Sequence, residues 1–332
     1  METTTGKPLG LAIAGCGRIS ESHLKAAAAI PDRVQVLAVV DPVEEKARAR
    51  AGQFGIATVY TSIEQALSDQ RIEAVGVWTQ PVFHVPLGVQ IAQAKRHVVI
   101  EKPLCLSVAE ADRLIRAGAE NGVVVMSGQS RRFNDLVFAA KRLIEAGEIG
   151  RLLHISVTTG AQTEGPPIAW WGDPALTGPN ALLANWASHW VDQIVYLAGR
   201  KPLRVYAEAA DHHPKYAGED EWSMLIRFED DLIASYTHSF NCSFGAASGF
   251  AYAGTRGVIN IAGKEVWLNG KKVEGVGTET NNFRAEYVEF AAAIRQGRPP
   301  LCAAAEVRPV IAILEGALLS AREHRAVDLA VL

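Results

Sequence analysis

The sequence predicts an α/β protein: an N-terminal doubly wound parallel sheet, then a C-terminal α+β domain built on a large, mainly antiparallel open sheet. Three observations predict it. Short apolar runs alternate with helix-length stretches from residue 9 to residue 126. A glycine turn, Gly15-Cys16-Gly17, follows the first run directly, and an acid, Asp41, ends the second. Beyond about Gly128 strands dominate instead.

Length and composition set the frame. At 332 residues the chain exceeds one ordinary core, which predicts domains at 1–128 and 129–332, the last helix a candidate to return to the first. A hydrophobic fraction of 48% against 21% charged residues is that of a globular chain. A net charge of −3 gives no footing for nucleic acid or a membrane surface, so neither is expected as a partner. Cys16, Cys105, Cys242 and Cys302 show no paired spacing, so neither a disulfide framework nor a metal site is expected. Met1 to Pro8 lacks a signal-peptide apolar core, and no apolar run reaches membrane length. A cytoplasmic protein is the expectation.

Residues 9–14 read as a buried strand leading into the glycine turn. Gly15 permits the tight bend and Gly17 lets the backbone approach a pyrophosphate at a helix N-terminus; Arg18 and Ile19 complete this cofactor turn. Ser20, where a third glycine or alanine is usual, is small enough to keep helix and strand close. A helix from about 22 to 30 and a strand over 34–40 follow, ending at Asp41. That acid stands where a dinucleotide fingerprint places one, to accept hydrogen bonds from the adenosine ribose and repel a 2′-phosphate. Pro42-Val43 follow it rather than arginine, so this Rossmann pattern favours NAD over NADP.

Helices over 44–54, 63–68, 86–94 and 108–121 alternate with strands over 57–60, 74–78, 98–100 and 123–126. Right-handed crossovers put Gly17, Thr79 and Lys102 along one edge, the expected cofactor site. Lys102 emerges from Val98-Val99-Ile100-Glu101-Lys102-Pro103, at a strand's carboxyl end, where ligands of open α/β sheets bind. Partial desolvation there tunes a lysine toward acid–base work; a lysine snorkelling from a strand end is the alternative. Glu101 is expected to anchor this cofactor-side loop, and His84 to cap a helix or neighbour the cofactor.

In the second half, a helix over 135–146 precedes strands over 152–159, 202–209, 221–228, 232–239, 247–254, 257–261 and 265–268. One helix, over about 180–198, interrupts them. Asn185, His189 and Asp192 fall at i, i+4 and i+7, which stacks them on one side of a regular helix and presents a histidine to a ligand. A solvated polar face is the competing reading. Trp170, Trp171, Trp186, Trp190 and Trp222 are expected in or near the substrate region, where indole faces pack on sugar C–H faces. Arg131 and Arg132 fit either an acidic substrate or an ion pair bridging the domains.

The chain resembles the glucose–fructose oxidoreductase/inositol dehydrogenase/MocA family over nearly its whole length. The resemblance rests on the glycine turn through Ser20, Val77 to His84, Ile100-Glu101-Lys102-Pro103, Arg131-Arg132-Phe133-Asn134, Gly147 to Gly150, and Gly178 through Asp192. It implies that Lys102 and His189 flank the substrate carbon exchanging hydride with a nicotinamide. Asn185, Asp192, Trp171 and Arg132 are the expected substrate contacts, a sugar, inositol or related polyol the expected substrate, and a homodimer or homotetramer through the C-terminal sheet the expected assembly. Asn185 replaces an aspartate common in relatives, and asparagine cannot neutralise an imidazolium, which shifts proton transfer toward Lys102. Two alternatives keep the nucleotide: a glycosidase or lyase acting by transient sugar oxidation, and a non-catalytic sensor.

Overall fold

The computed structural model describes residues 7–213, 215–279 and 282–332, which form two compact units. The first takes the described residues up to Cys105 with Glu110–Gly128 and Asn282–Glu306; the second takes Leu106–Ala109, the described part of 129–281, and Val307–Leu332.

The first unit runs β1 (Leu9–Ala14), α1 (Arg18–Ala28), β2 (Val34–Val40), α2 (Glu44–Phe54), β3 (Thr58–Tyr60), α3 (Ile63–Ser68), β4 (Ala74–Val77), α4 (His84–Gln93), β5 (His97–Glu101), α5 (Val108–Asn121) and β6 (Val125–Gly128). Its strands order as β3-β2-β1-β4-β5-β6, every pair parallel. All six residues of β1 are buried, as a strand covered on both faces requires. The chain winds outward from β1 in both directions, so the crevice between β1 and β4 is the switch point where such sheets bind ligands. α1 starts at Arg18, earlier than the expected residue 22, because Gly17 in extended conformation is already its N-cap.

The second unit adds α6 (Asp135–Glu145), β7 (Leu152–Gly160), α7 (Pro174–Thr177), α8 (Ser188–Ala198), β8 (Pro202–Ala210), β9 (Glu221–Phe228), β10 (Ile233–Ser239), β11 (Gly249–Gly254), β12 (Val258–Ala262), β13 (Glu265–Leu268) and β14 (Lys271–Lys272). After them come α9 (Phe283–Gln296), α10 (Ala304–Glu323) and β15 (Val327–Asp328). The nine strands order as β14-β13-β12-β11-β7-β10-β9-β8-β15. Only β7 and β10 pair in parallel, which makes the sheet mixed. Alternate residues of β9 are buried, and α6 and α8 lie on the same side of the unit. The outward positions include exposed Tyr206, Leu225 and Ile233 on β8, β9 and β10.

α9 belongs to the first unit and packs on α1: Phe283 and Tyr287 close on the His23 ring at 4.4 and 5.8 Å. Among the described residues no helix is long and apolar enough to cross a membrane.

Candidate active site

The glycine turn needs its glycines for different reasons. Gly15 has φ +94, and a Cβ there would sit 2.4 Å from the Trp78 carbonyl oxygen. A Cβ on Gly17 would meet nothing within 4 Å, so open space faces the first turn of α1. Asp41 is buried and already at work. Its Oδ2 accepts from the Cys16 N–H at 2.9 Å and its Oδ1 from the Val43 N–H at 2.9 Å, which fixes the acid against the turn. Each oxygen keeps a second lone pair for a further donor.

Lys102 follows β5, half-buried, with a cis peptide to Pro103. Two buried side chains brace this loop. Glu101 accepts from the Lys102 N–H at 2.6 Å through Oε2, while Oε1 lies 3.4 Å from His23 Nε2. Burial opposes ionisation of Glu101, but the His23 hydrogen bond and the Lys102 charge outweigh it and hold the carboxyl below its ordinary range. His84 is fully buried, with Nδ1 2.7 Å from the Pro103 carbonyl and Nε2 3.1 Å from that of Thr79. It therefore ties the turn after β4 to the loop after β5. Burial lowers its pKa, and the neutral ring, with a single N–H, donates to one of the two carbonyls at a time.

His23, stacked on Trp78 at 3.7 Å, is a further buried group that the sequence reading missed. Glu286 on α9 is also dry, and burial together with the nearby Glu101 carboxylate pushes its acid well above the ordinary range.

In the second unit the expected continuous helix over 180–198 is interrupted. Residues Leu183–Ala187 form a π-helix before α8 begins. The wide turn frees carbonyls that side chains take up: Asn185 Nδ2 donates to Ala181 O at 3.1 Å, and Ser188 Oγ to Ala184 O at 2.8 Å. The i, i+4, i+7 stripe is therefore not that of a regular α-helix. His189 is half-buried, while Asn185 and Asp192 are buried.

Asp192 faces Arg132. The guanidinium donates to the carboxylate at 2.7, 3.0 and 3.1 Å, with both side chains almost dry. Burial raises the Asp192 carboxyl and Arg132 opposes the shift. The two expected substrate contacts thus occupy each other. Arg131 on the same 3₁₀ turn goes elsewhere, its guanidinium carbon 3.8 Å from the centre of the Trp190 ring.

Trp190 belongs to an aromatic cluster with Trp186, Phe250, His238, Phe240, Trp171 and Tyr216. The indole N–H groups of Trp171, Trp186 and Trp190 and the Nε2 of His238 are buried without a protein partner. His238 was missed by the sequence reading. Its signal was the inward alternation of Ala234, Tyr236 and His238 along β10, which puts an imidazole in a core row. Trp222, expected near substrate, is instead fully buried core, its N–H donating to Glu219 O at 3.1 Å.

The structure thus brings Gly15, Gly17, Arg18, Ile19, Asp41, Thr79, His84, Glu101 and Lys102 into the first unit, and Trp171, Arg132, Asn185, His189 and Asp192 into the second. Among the described residues no group of three or more His, Cys, Asp or Glu could hold a metal ion.

Comparison with known proteins fits this geometry. Residues 9–129 match the oxidoreductase family with an NAD-binding Rossmann fold, GFO/IDH/MocA, and residues 137–260 match the GFO/IDH/MocA C-terminal domain. The chain is 29% identical to a 4-carboxy-2-hydroxymuconate-6-semialdehyde dehydrogenase of Sphingobium sp., over 90% of this chain and 94% of that protein. It is 24% identical to myo-inositol 2-dehydrogenase of Thermotoga maritima, over 96% and 98%. The crystal structure of aldose-aldose oxidoreductase from Caulobacter crescentus shares the fold, with a TM-score of 0.88 at 23% identity over 97% of this chain and 99% of that one.

Proposed function

The chain belongs to the GFO/IDH/MocA family of NAD(P)-dependent oxidoreductases, and from that premise we propose that it moves hydride between NAD and a secondary-alcohol carbon of a sugar, inositol or related polyol. The observation that carries this reading is the alignment of the glycine turn, Thr79 and Lys102 at the carboxyl ends of the parallel neighbours β1, β4 and β5. The dinucleotide fits the residues present. The open space at Gly17 admits a pyrophosphate beside the N–H groups of Arg18 and Ile19, and Asp41 retains lone pairs for ribose hydroxyls. A fixed carboxylate disfavours a 2′-phosphate, so NAD is the cofactor we assign.

NAD, when bound, supplies the carbon that accepts hydride. An alcohol carbon that gives up hydride leaves a hydroxyl that must lose its proton, so a base within hydrogen-bond reach is required. In this reading Lys102 takes that proton, and in the reverse direction its ammonium stabilises the developing alkoxide. His189 holds the same or the neighbouring hydroxyl. Glu101 and His84 keep the Lys102 loop in place through the bonds described above. Inositol and aldose chemistry in the relatives' names supports the polyol class.

The exposed Tyr206, Leu225 and Ile233 suit contact with a second copy of the chain, which light scattering after gel filtration tests. We place the chain in a reducing, cytoplasmic setting, in keeping with four cysteines that form no disulfide. Absorbance at 340 nm with NAD and a panel of sugars and inositols tests the reaction. NADH formation supports it; release of an aglycone without NADH refutes it.

A further inference from the structure

We infer that Arg131 is an anion receptor that holds one carboxylate of the substrate, so that the preferred substrate is a sugar acid and not a neutral polyol. The inference deepens the proposed function and rests on its placing α8 at the substrate site.

Arg131 and Arg132 are chain neighbours with opposite fates. Arg132 is neutralised by Asp192 through three charge-assisted hydrogen bonds. Arg131 has no acid partner among the described residues: its guanidinium carbon lies over the Trp190 ring, 3.8 Å from the ring centre. Burial alone shifts it, lowering the pKa to about 10, and no carboxylate offsets that shift. At neutral pH it is still a cation. The groups around its aromatic platform add no negative charge. Trp186 and Phe250 are neutral, and His238, with a pKa lowered to about 4 by burial, is neutral as well.

A half-buried charge with no counter-charge is unfavourable in the unliganded protein. A ligand that brings the missing charge recovers that cost on binding. Among the described residues the guanidinium N–H groups donate to no carboxylate, which leaves its fork for a planar, two-oxygen anion. Carboxylate matches in shape and in charge. The other cation of the turn is already neutralised, so a phosphate dianion would exceed what Arg131 alone can balance.

Matched probes test this: D-glucuronate against D-glucose, D-galacturonate against D-galactose, and glucose 6-phosphate. Each is measured by calorimetric binding to the NADH-loaded protein and by turnover with NAD. The wild type should favour each acid over its neutral parent by about 100-fold. Arg131→Met, which keeps an apolar stem on Trp190, should bring that ratio close to one, and Arg131→Lys should fall between. Because Met relieves an uncompensated charge, the melting temperature of Arg131→Met should not drop. A ratio unchanged in Arg131→Met, a preference for the phosphate or the neutral sugar, or no binding of either acid overturns the inference. So does a destabilised Arg131→Met with unchanged selectivity, which makes the arginine a packing group. If acids bind through Arg131 but no alcohol is oxidised, the hydride reading fails and the receptor stands. If neutral polyols are oxidised without acid preference, the receptor fails and the hydride reading stands.

Discussion

Asp192→Leu and Arg132→Met remove opposite halves of one buried ion pair, and their costs should differ in size and in pH dependence. The pair is joined at 2.7, 3.0 and 3.1 Å with side-chain exposures of 3% for Arg132 and 0% for Asp192. Asp192→Leu takes the carboxylate from a buried guanidinium that cannot shed its proton, so its cost should be about 3–5 kcal/mol, that of a broken buried pair, at every pH. Arg132→Met strands a carboxyl that can protonate. Neutralising an aspartate of unfolded pKa about 3.9 at pH 7 costs about 4 kcal/mol, which caps the penalty there and shrinks it to about 1.5 kcal/mol at pH 5. The sign is that of a raised folded pKa: Arg132→Met is most stable below the unfolded pKa and loses stability as pH rises. The double variant Arg132→Met/Asp192→Leu should return most of the loss, since an apolar pair of similar size is often neutral or better. Thermal melts at pH 5 and pH 7, at about 2–4 °C per kcal/mol for a unit of this size, read all three. Equal, pH-independent losses in the two single variants, or a double variant as poor as Asp192→Leu, would refute the reasoning.

Other outcomes follow from the same geometry. Gly15→Ala puts a methyl 2.4 Å from the Trp78 carbonyl at a left-handed φ, so NAD affinity should fall at least tenfold by fluorescence titration. Asp41→Ala should erode the preference for NAD over NADP in kcat/KM and loosen the glycine turn it holds. His238 has a folded pKa of about 4 against an ordinary 6.5. Its neutral form thus favours the fold above pH 6.5, and about 3 kcal/mol is lost as pH falls from 6.5 to 4. Urea denaturation of His238→Phe should show a correspondingly flatter acid limb.

The first unit was legible because its signals are local. The β1 run, the glycine turn and the acid after β2 lie within 33 residues, 9–41, and α2 and α5 begin and end where their patterns predict. What was illegible depends on tertiary contact. Nothing in residues 283–296 says that their helix covers α1 rather than the second sheet, or that it brings Glu286 into the first unit. The π-turn at Leu183–Ala187 inserts a phase shift that a period of 3.6 cannot register, and Asn185 consequently serves a backbone carbonyl. Arg131 and Arg132 are equivalent as letters. On a 3₁₀ turn successive side chains diverge by about 120°, so only the fold decides which one meets Asp192 and which meets Trp190.

The central claim is that Lys102 serves hydride transfer between a polyol carbon and NAD. The most direct measurement follows deuterium from the carbinol carbon of a labelled substrate, in the wild type and in Lys102→Met. The label should appear in NADH, and Lys102→Met should lower kcat by about 10²–10⁴-fold, far more than it weakens NAD binding. Deuterium lost to solvent without NADH, or a Lys102→Met variant that turns over like the wild type, would contradict the account.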